Sequence, residues 1–181
     1  MLIPGLVSVT FRALAPEAIV ALVRQAGLGA IEWGGDVHVP PGRHDLAAAV
    51  RGASEAAGIR IVSYGSYYRA GHEEPAAFEP VLETALALGA LMLRVWAGRV
   101  GSAQADAAQR ERVILDLLRI ARRAAAHGVI VSTEYHANTL TDTCESALQL
   151  LDVAGEPNLR THWQPVPQRP VEGQVDVELA V

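Results

Sequence analysis

One pattern of hydrophobic and polar positions recurs along the chain. A short apolar run is followed by a loop, an amphipathic segment rich in alanine and leucine, a small-residue stop and the next apolar run. Runs such as VIVST and LMLRVW are almost continuously apolar, which is typical of strands buried on both faces of a parallel sheet. The pattern predicts strands at residues 5–11, 30–33, 60–63, 91–96, 129–135 and 159–163.

Amphipathic segments between these runs predict helices at residues 16–26, 45–57, 76–88, 103–127 and 142–153. Pro16 suits a first helical turn, and Thr141 with Asp142 suits a helix cap. Four of the helices are followed by a glycine, where a left-handed backbone can satisfy the last carbonyls. These glycines are Gly27, Gly58, Gly89 and Gly128.

Strict alternation of strand and helix predicts parallel strands joined by right-handed crossovers, either as an open doubly wound sheet or as a barrel. The first strand-to-helix turn, SVTFRALAP, lacks the glycines of a dinucleotide site, and no GxxxxGK[ST] phosphate loop occurs. Both absences favour the barrel. A complete (βα)8 barrel takes ~250 residues. The 181 residues therefore predict a single α/β domain over residues 1–181, of TIM-barrel type but incomplete, with about six βα units and without the last two.

Composition limits the kinds of partner that the protein could bind. The formal charge of −5 argues against a nucleic-acid-binding surface, and no apolar run reaches the length of a membrane span. A single cysteine, Cys144, fits a reducing cytoplasm, and the first residues do not resemble a signal peptide. We therefore expect a cytoplasmic protein. The first and last strands would present open edges, which a homo-oligomer or the C-terminal tail could cover.

Aromatic residues are rare but collect at the carboxyl ends of the predicted strands. In a parallel αβ barrel these ends form the face that binds ligands. Rings that pack on C–H faces, together with nearby polar groups, suit a sugar-like ligand. Rings that merely close the core would show the same placement. The residues concerned are Phe11, Trp33, Tyr64, Trp96, Tyr135 and Trp163.

Polar residues share those strand ends. Glu134 is the strongest functional candidate, because a carboxylate there is costly to bury unless it binds a cation or transfers a proton. Glu32 could act in the site or pair with an arginine. The spacing of the histidines does not define a metal site by itself, since there is no HExxH and no cysteine cluster. Each of His38, His136 and His162 could be functional or structural.

The segments IEWGGDVHVPPG, SYGSYYR, LRVWAG and STEYHANTLTDT resemble the sugar phosphate isomerase/epimerase family of xylose isomerase-like TIM barrels, over roughly residues 5 to 165. The resemblance implies a (βα)8 barrel with Mn²⁺ or Mg²⁺ at the strand ends, bound by residues of strands five to eight. It places Glu134 at the fifth-strand glutamate ligand and Gln164 where the family has an aspartate. The seventh- and eighth-strand ligands have no counterpart in the 181 residues.

The sequence thus supports a metal-dependent isomerase or epimerase of a sugar or sugar phosphate, in which Glu134 is both catalytic base and metal ligand, with Gln164 as a second ligand. Arg94 or the metal would stabilise the enediolate. The expected substrate-binding residues are Trp33, His38, Tyr64, Arg94, Trp96, His136 and Trp163. The alternative is a non-catalytic or inactive truncated barrel that binds a sugar-like ligand. Metal-dependent phosphodiester cleavage, a third hypothesis, is disfavoured by the acidic charge.

Overall fold

Strands and helices alternate throughout the computed structural model, which describes residues 2–165 and 170–178. The strands are β1 (Gly5–Val7), β2 (Ala30–Gly34), β3 (Arg60–Arg69), β4 (Met92–Trp96), β5 (Ile130–Glu134) and β6 (Leu159–His162). The helices are α1 (Pro16–Gln25), α2 (His44–Ala56), α3 (Phe78–Leu88), α4 (Ala107–Ala125), α5 (Cys144–Ala154) and α6 (Val171–Glu178). The alternation predicted from the apolar runs is confirmed.

The six strands form one parallel sheet in the order β1-β2-β3-β4-β5-β6, so every strand lies beside its neighbours in sequence. A doubly wound sheet would reverse its strand order at a switch point, whereas a barrel continues in one direction. The order therefore confirms an incomplete α/β barrel. Among the described residues, the outer edges of β1 and β6 have no strand partner.

The core lies between this sheet and the helices. Alternate residues of the central strands, including Leu93 and Val131, are fully buried, as are Leu117 and Ile120 of α4. Burial of such side chains contributes on the order of 2 kcal/mol each. The glycine stops behave as predicted: Gly89 has φ 67° and its N–H binds the carbonyl of Leu86. Among the described residues, no helix is long and apolar enough to cross a membrane.

The first strand is shorter than predicted. Extended backbone stops at Val7, and Ser8–Phe11 form a 3-10 turn instead of the end of a strand. The cause is the buried Ser8 hydroxyl, which accepts a hydrogen bond from Gly34 N–H at 2.9 Å and also contacts His38 Nδ1 at 2.9 Å. The Ser8 side chain thus binds the Gly34 amide, which the backbone of a longer β1 would otherwise have bound.

The third strand is longer than predicted, extending beyond Ser63 to Arg69. Its second half is irregular, because Tyr67 has a left-handed backbone with φ 62° and the pairing with β4 shifts between Gly65 and Arg69. The Ser66 hydroxyl donates to the Arg94 carbonyl at 2.7 Å, which keeps the two strands joined across the irregularity.

Two helices begin later than predicted because their caps differ. Helix α4 begins after Asp106, whose carboxylate accepts from Gln109 N–H while the Gln109 side chain accepts from Asp106 N–H. This reciprocal capping box fixes the start at residue 107 rather than 103. Helix α5 is capped by Thr143, which accepts from Ser146 N–H at 3.2 Å, and not by Thr141 with Asp142.

Two leucines of α4 test the packing. Leu117 is fully buried and Leu115 is 59% exposed. We expect Leu117→Ala to lower the free energy of unfolding by about 2–5 kcal/mol, through lost burial and a cavity. Leu115→Ala should change it by less than about 0.5 kcal/mol. Urea denaturation followed by circular dichroism measures both, and equal losses would contradict the orientation of α4.

Candidate functional site

The site is built around one buried guanidinium. Arg94 projects from β4, is only 5% exposed and lies between two carboxylates. Its Nε donates to Glu32 Oε1 of β2 at 3.0 Å, and its Nη1 donates to Glu134 Oε2 of β5. These three residues therefore lie together at one end of the sheet, as the sequence predicted for Glu134 and Arg94. The pairing of Glu32 with an arginine, one of the two alternatives for that residue, is observed.

Gly65 allows this pairing to cross a strand. Glu32 and Arg94 are on β2 and β4, and β3 runs between them. A Cβ at Gly65 would lie 2.5 Å from Arg94 Nη2 and 2.9 Å from Glu32 Oε1. The absence of a side chain at Gly65 therefore opens the space that the ion pair occupies. Sequence reasoning missed this residue, although the glycine inside the SYGSYYR strand was a visible signal.

Charge in the cluster is unevenly balanced, with two carboxylates beside one guanidinium. Burial acts to lower the pKa of Arg94, but the charges of Glu32 and Glu134 outweigh it and raise that pKa, so the group stays charged. His162 of β6 lies beside the same groups and pairs in register with Glu134. Burial lowers the pKa of His162 despite the opposing charges of the two glutamates, so its imidazole is neutral near pH 7.

Trp96 forms one wall of the site. Its indole N–H donates to Glu134 Oε2, so the same carboxylate oxygen accepts from both Arg94 and Trp96. One face of the indole stacks on the His136 imidazole, with ring centroids 4.7 Å apart and an interplanar angle of 22°. The Arg69 guanidinium carbon lies 3.6 Å from the indole centroid. The predicted grouping of Trp96, Glu134 and His136 is thus observed.

Tyr67 was not predicted but belongs to this cluster. Its ring centroid is 5.5 Å from that of Trp96, and its hydroxyl accepts from Arg12 Nη2 at 3.0 Å. Arg12 also pairs with Asp36, so Tyr67 connects the β2 loop to the charged centre. A non-glycine residue at φ 62° is uncommon, and such residues concentrate at functional sites. Sequence gives no signal for that backbone conformation.

A cavity of about 500 Å³ opens at the carboxyl end of β5 and is lined by residues including His136, Asn138, Asp142 and Gln164, of which Gln164 Nε2 lies 3.5 Å from Glu134 Oε1. This volume is within the range of ligand sites, roughly 300–1,000 Å³. Asp142 was predicted only as a helix cap. One of its oxygens accepts from Ser102 N–H at 3.0 Å, and the other is buried without a hydrogen-bond partner among the described residues. The hydrogen-bonding capacity of that oxygen is therefore unused within the described part of the chain.

The donors expected for a metal ion do not make a metal site here. Glu134 Oε2 is held by Arg94 and Trp96, and Gln164 presents its Nε2, 2.5 Å from the Tyr135 carbonyl and 3.5 Å from Glu134 Oε1. Within residues 2–165 and 170–178, no group of three or more His, Cys, Asp or Glu could hold a metal. A cation bound to Glu134 would also be repelled by the Arg94 guanidinium, which is already paired with that carboxylate.

Three residues expected around the substrate are buried. Trp33 and Tyr64 have no exposed surface, and the Tyr64 hydroxyl donates to the Val39 carbonyl at 2.8 Å. His38 is 4% exposed and bound to Ser8. In this structure these side chains build the wall behind the site and offer no surface to a ligand. Trp163 follows β6 and is partly exposed at the strand end.

Sequential parallel strands with a charged, aromatic cluster at their carboxyl ends define a protein of the α/β-barrel class with a candidate small-molecule site. A family model described as xylose isomerase-like TIM barrel matches residues 20–165. The chain belongs to this family. The family resemblance read from the sequence is therefore confirmed.

Individual relatives agree with the family. The chain is 38% identical over 68 residues to a 3-dehydroshikimate dehydratase of Bacillus anthracis, a match covering 38% of this chain and 24% of that protein. The crystal structure of the probable 3-DHS dehydratase involved in petrobactin synthesis from Bacillus anthracis superposes with a TM-score of 0.77 at 23% identity. D-psicose 3-epimerase superposes with a TM-score of 0.72 at 16% identity. At these identities the structural likeness shows the fold.

The two superpositions cover 89% and 88% of this chain. They cover 62% of the dehydratase chain and 62% of the epimerase chain. The chain therefore spans less than two thirds of these relatives, and it corresponds to the part of the barrel that carries β1 to β6.

Gly65→Ala tests the crossing ion pair. The new methyl group would displace the buried Arg94 guanidinium, and we expect a loss of about 1–3 kcal/mol in the free energy of unfolding. Gly52→Ala is the matched control, because Gly52 lies inside α2 with nothing within 4 Å of an added Cβ. It should stabilise the protein by roughly 0.5–1 kcal/mol. Loss of stability in both variants would contradict a specific role for Gly65.

His162 predicts a pH dependence of stability. Its folded-state pKa is lowered below the ordinary 6.5, so the unfolded chain binds the proton more readily. Stability should therefore fall as pH drops below about 6.5, and His162→Gln should reduce this loss between about pH 7 and pH 5.5. Chemical denaturation across that range measures it, with His127→Gln on the exposed end of α4 as a control. An unchanged slope in His162→Gln would refute the prediction.

Proposed function

We propose that the chain binds a sugar or similar polyhydroxylated carbonyl compound at the strand ends, where Glu134 removes a proton from the carbon beside the carbonyl. The observation that carries this proposal is the Glu134 carboxylate itself, held at the end of β5 beside Gln164, which lines a cavity of ligand size. The reaction class is isomerisation or epimerisation through an enediolate.

The hydrogen bonds of Glu134 suit a base with a fixed orientation. Arg94 and Trp96 both donate to Oε2, whereas the nearest donor to Oε1 is Gln164 Nε2 at 3.5 Å. One oxygen is thereby anchored and the other is left to meet a substrate proton. Side chains locked in this way hold the reacting atoms close together, which is the main structural requirement for general base catalysis.

Other polar groups around the cavity suit a substrate rich in hydroxyls. His136, Asn138, Asp142 and Gln164 line it with polar side chains. Trp96 adds an aromatic surface on which C–H groups could pack. Of the substrate residues expected from sequence, this proposal keeps Arg94, Trp96, His136 and Trp163, and it leaves Trp33, His38 and Tyr64 as buried support.

The names of the relatives support the same chemistry. An epimerase inverts a carbon and a dehydratase removes water, and on a carbonyl substrate either reaction can begin with loss of a proton beside the carbonyl. No step is assigned here to Mn²⁺ or Mg²⁺, because Glu134 and Gln164 are the only donors expected for the ion within the described residues. The chain's single cysteine supports the proposed cytoplasmic location, and the open edges of β1 and β6 could accommodate a second copy.

A second candidate is sugar binding without catalysis. It is favoured by the ion pair between Glu134 and Arg94, because the carboxylate oxygen that Arg94 and Trp96 bind is already occupied. In this case the cavity and its aromatic wall would bind a ligand that is released unchanged.

Glu134→Gln separates the two candidates. We expect the parent chain to exchange a carbon-bound proton of a ketose with solvent, and Glu134→Gln to lower that rate by about 10²–10⁴-fold because the base is lost. Deuterium incorporation in D₂O, followed by NMR over a panel of ketoses and ketose phosphates, measures the rate. Glu145→Gln, on the exposed first turn of α5, removes the same charge away from the site.

Equal exchange in the parent and Glu134→Gln would contradict the catalytic role. Ligand binding by the parent without any exchange would favour the non-catalytic candidate.

A further inference from the structure

A group of positive side chains begins at Trp96 and includes none of the residues that line the cavity. Arg69 ends β3 and lies flat on the indole, 3.6 Å from its centroid. Arg99 follows β4, and Arg112 lies in α4. The three arginines belong to three different segments of the chain. None of them has a role in the proton transfer proposed for Glu134.

Close backbone packing brings these elements together. A Cβ at Gly71 would lie 2.9 Å from the backbone nitrogen of Val113, the neighbour of Arg112. A Cβ at Gly98, the neighbour of Arg99, would lie 3.1 Å from the same valine. The turn after β3, the turn after β4 and the first half of α4 therefore meet at Val113. The two glycines permit this approach.

Few negative charges balance the cluster. Glu73 pairs with Arg99 at 3.3 Å, and no ion pair joins Arg69 or Arg112 to a carboxylate within the described residues. The charge of Glu134 also acts on Arg69, so the three arginines together with Glu73 and Glu134 keep an excess of one positive charge, in a protein whose formal charge is −5. Electrostatics gives independent support, since the pKa of His72 is lowered by partial burial and then by all three arginines.

We propose that Arg69, Arg99 and Arg112 form a subsite for the phosphate group of a phosphorylated sugar. A phosphate monoester carries about −1.5 to −2 charges near pH 7, so it can pair with more than one of these arginines, and arginine binds phosphate oxygens in a bidentate manner. A carboxylate carries one charge and would satisfy one of the three groups. The cluster is partly exposed and open to a ligand.

The position relative to Glu134 makes this a substrate subsite. Trp96 contacts Glu134 through its Nε1 and Arg69 through its ring face, so the base and the cluster are separated by one indole. A ketose phosphate with its carbonyl at Glu134 could place its terminal phosphate beyond Trp96. This assignment of substrate class rests on the function proposed above, whereas the phosphate subsite itself does not.

The direct test is equilibrium binding, which needs no turnover. Isothermal titration of the full chain compares D-fructose 6-phosphate, D-fructose, inorganic phosphate and D-gluconate. We expect D-fructose 6-phosphate to bind at least tenfold more tightly than D-fructose, with an affinity that falls as salt increases. Equal affinities for the two sugars would overturn the proposal, and so would D-gluconate binding as tightly as the phosphate ester.

Charge variants then locate the subsite. Arg99→Gln with Arg112→Gln should weaken D-fructose 6-phosphate and inorganic phosphate at least tenfold. Glu73→Gln should tighten both, because it releases Arg99 from its ion pair. Arg24→Gln is the matched control: this exposed arginine lies in the last turn of α1, at the opposite end of the strands. Equal weakening by Arg24→Gln would show a general charge effect and refute the subsite.

Glu134→Gln distinguishes failure of this inference from failure of the proposed function. Loss of proton exchange with unchanged phosphate affinity supports both. Arginine-dependent phosphate binding without any exchange in the parent retains the subsite and removes the catalytic role. In a third outcome, proton exchange depends on Glu134 but the arginine variants bind and react normally. That outcome retains the catalytic role of Glu134 and removes the phosphate subsite.

Discussion

The buried ion pair of Arg94 with Glu32 and Glu134 is the constraint on which the carboxyl end of the sheet depends. A charge removed from water is costly unless it is paired, so the guanidinium must hold both carboxylates, and the three strands that carry them must keep their register. That requirement fixes β2, β4 and β5 relative to one another. The ion pair passes β3 at Gly65, where the absence of a side chain leaves room for it. It also fixes the carboxylate at the end of β5 in the orientation that a base needs.

Sheet topology turns this local pairing into a site. In a sheet with sequential parallel strands, every carboxyl end faces the same way, so side chains far apart in sequence converge. Glu32 and Glu134 are 102 positions apart and share one guanidinium. The same geometry brings Arg69, Trp96 and His136 into one stack beside the Glu134 carboxylate, which Trp96 binds.

Family membership does not settle the chemistry, because the metal ligands expected from the family are only partly present in the described residues. The match over residues 20–165 establishes the xylose isomerase-like barrel, and the dehydratase and epimerase relatives show that this fold supports more than one reaction. Function depends on the site and not on the fold. Here the site offers a positioned carboxylate, a polar cavity and an arginine cluster, and these features favour proton transfer on an anionic sugar.

The sequence by itself determined the class of fold and the strongest candidate residue. Apolar runs, helical periodicity and glycine stops are local signals, so the six strands, the barrel type and the position of Glu134 at a strand end could be predicted. Helix starts could be predicted only roughly, because the capping choices of Asp106 and Thr143 depend on hydrogen bonds between neighbouring turns. The tertiary structure decided which strand-end residues face the cavity. Trp33 and Glu134 both lie near strand ends, but packing buries the first completely and leaves 13% of the second side chain exposed. The left-handed Tyr67 and the gap at Gly65 likewise follow from contacts between distant segments, which no local pattern records.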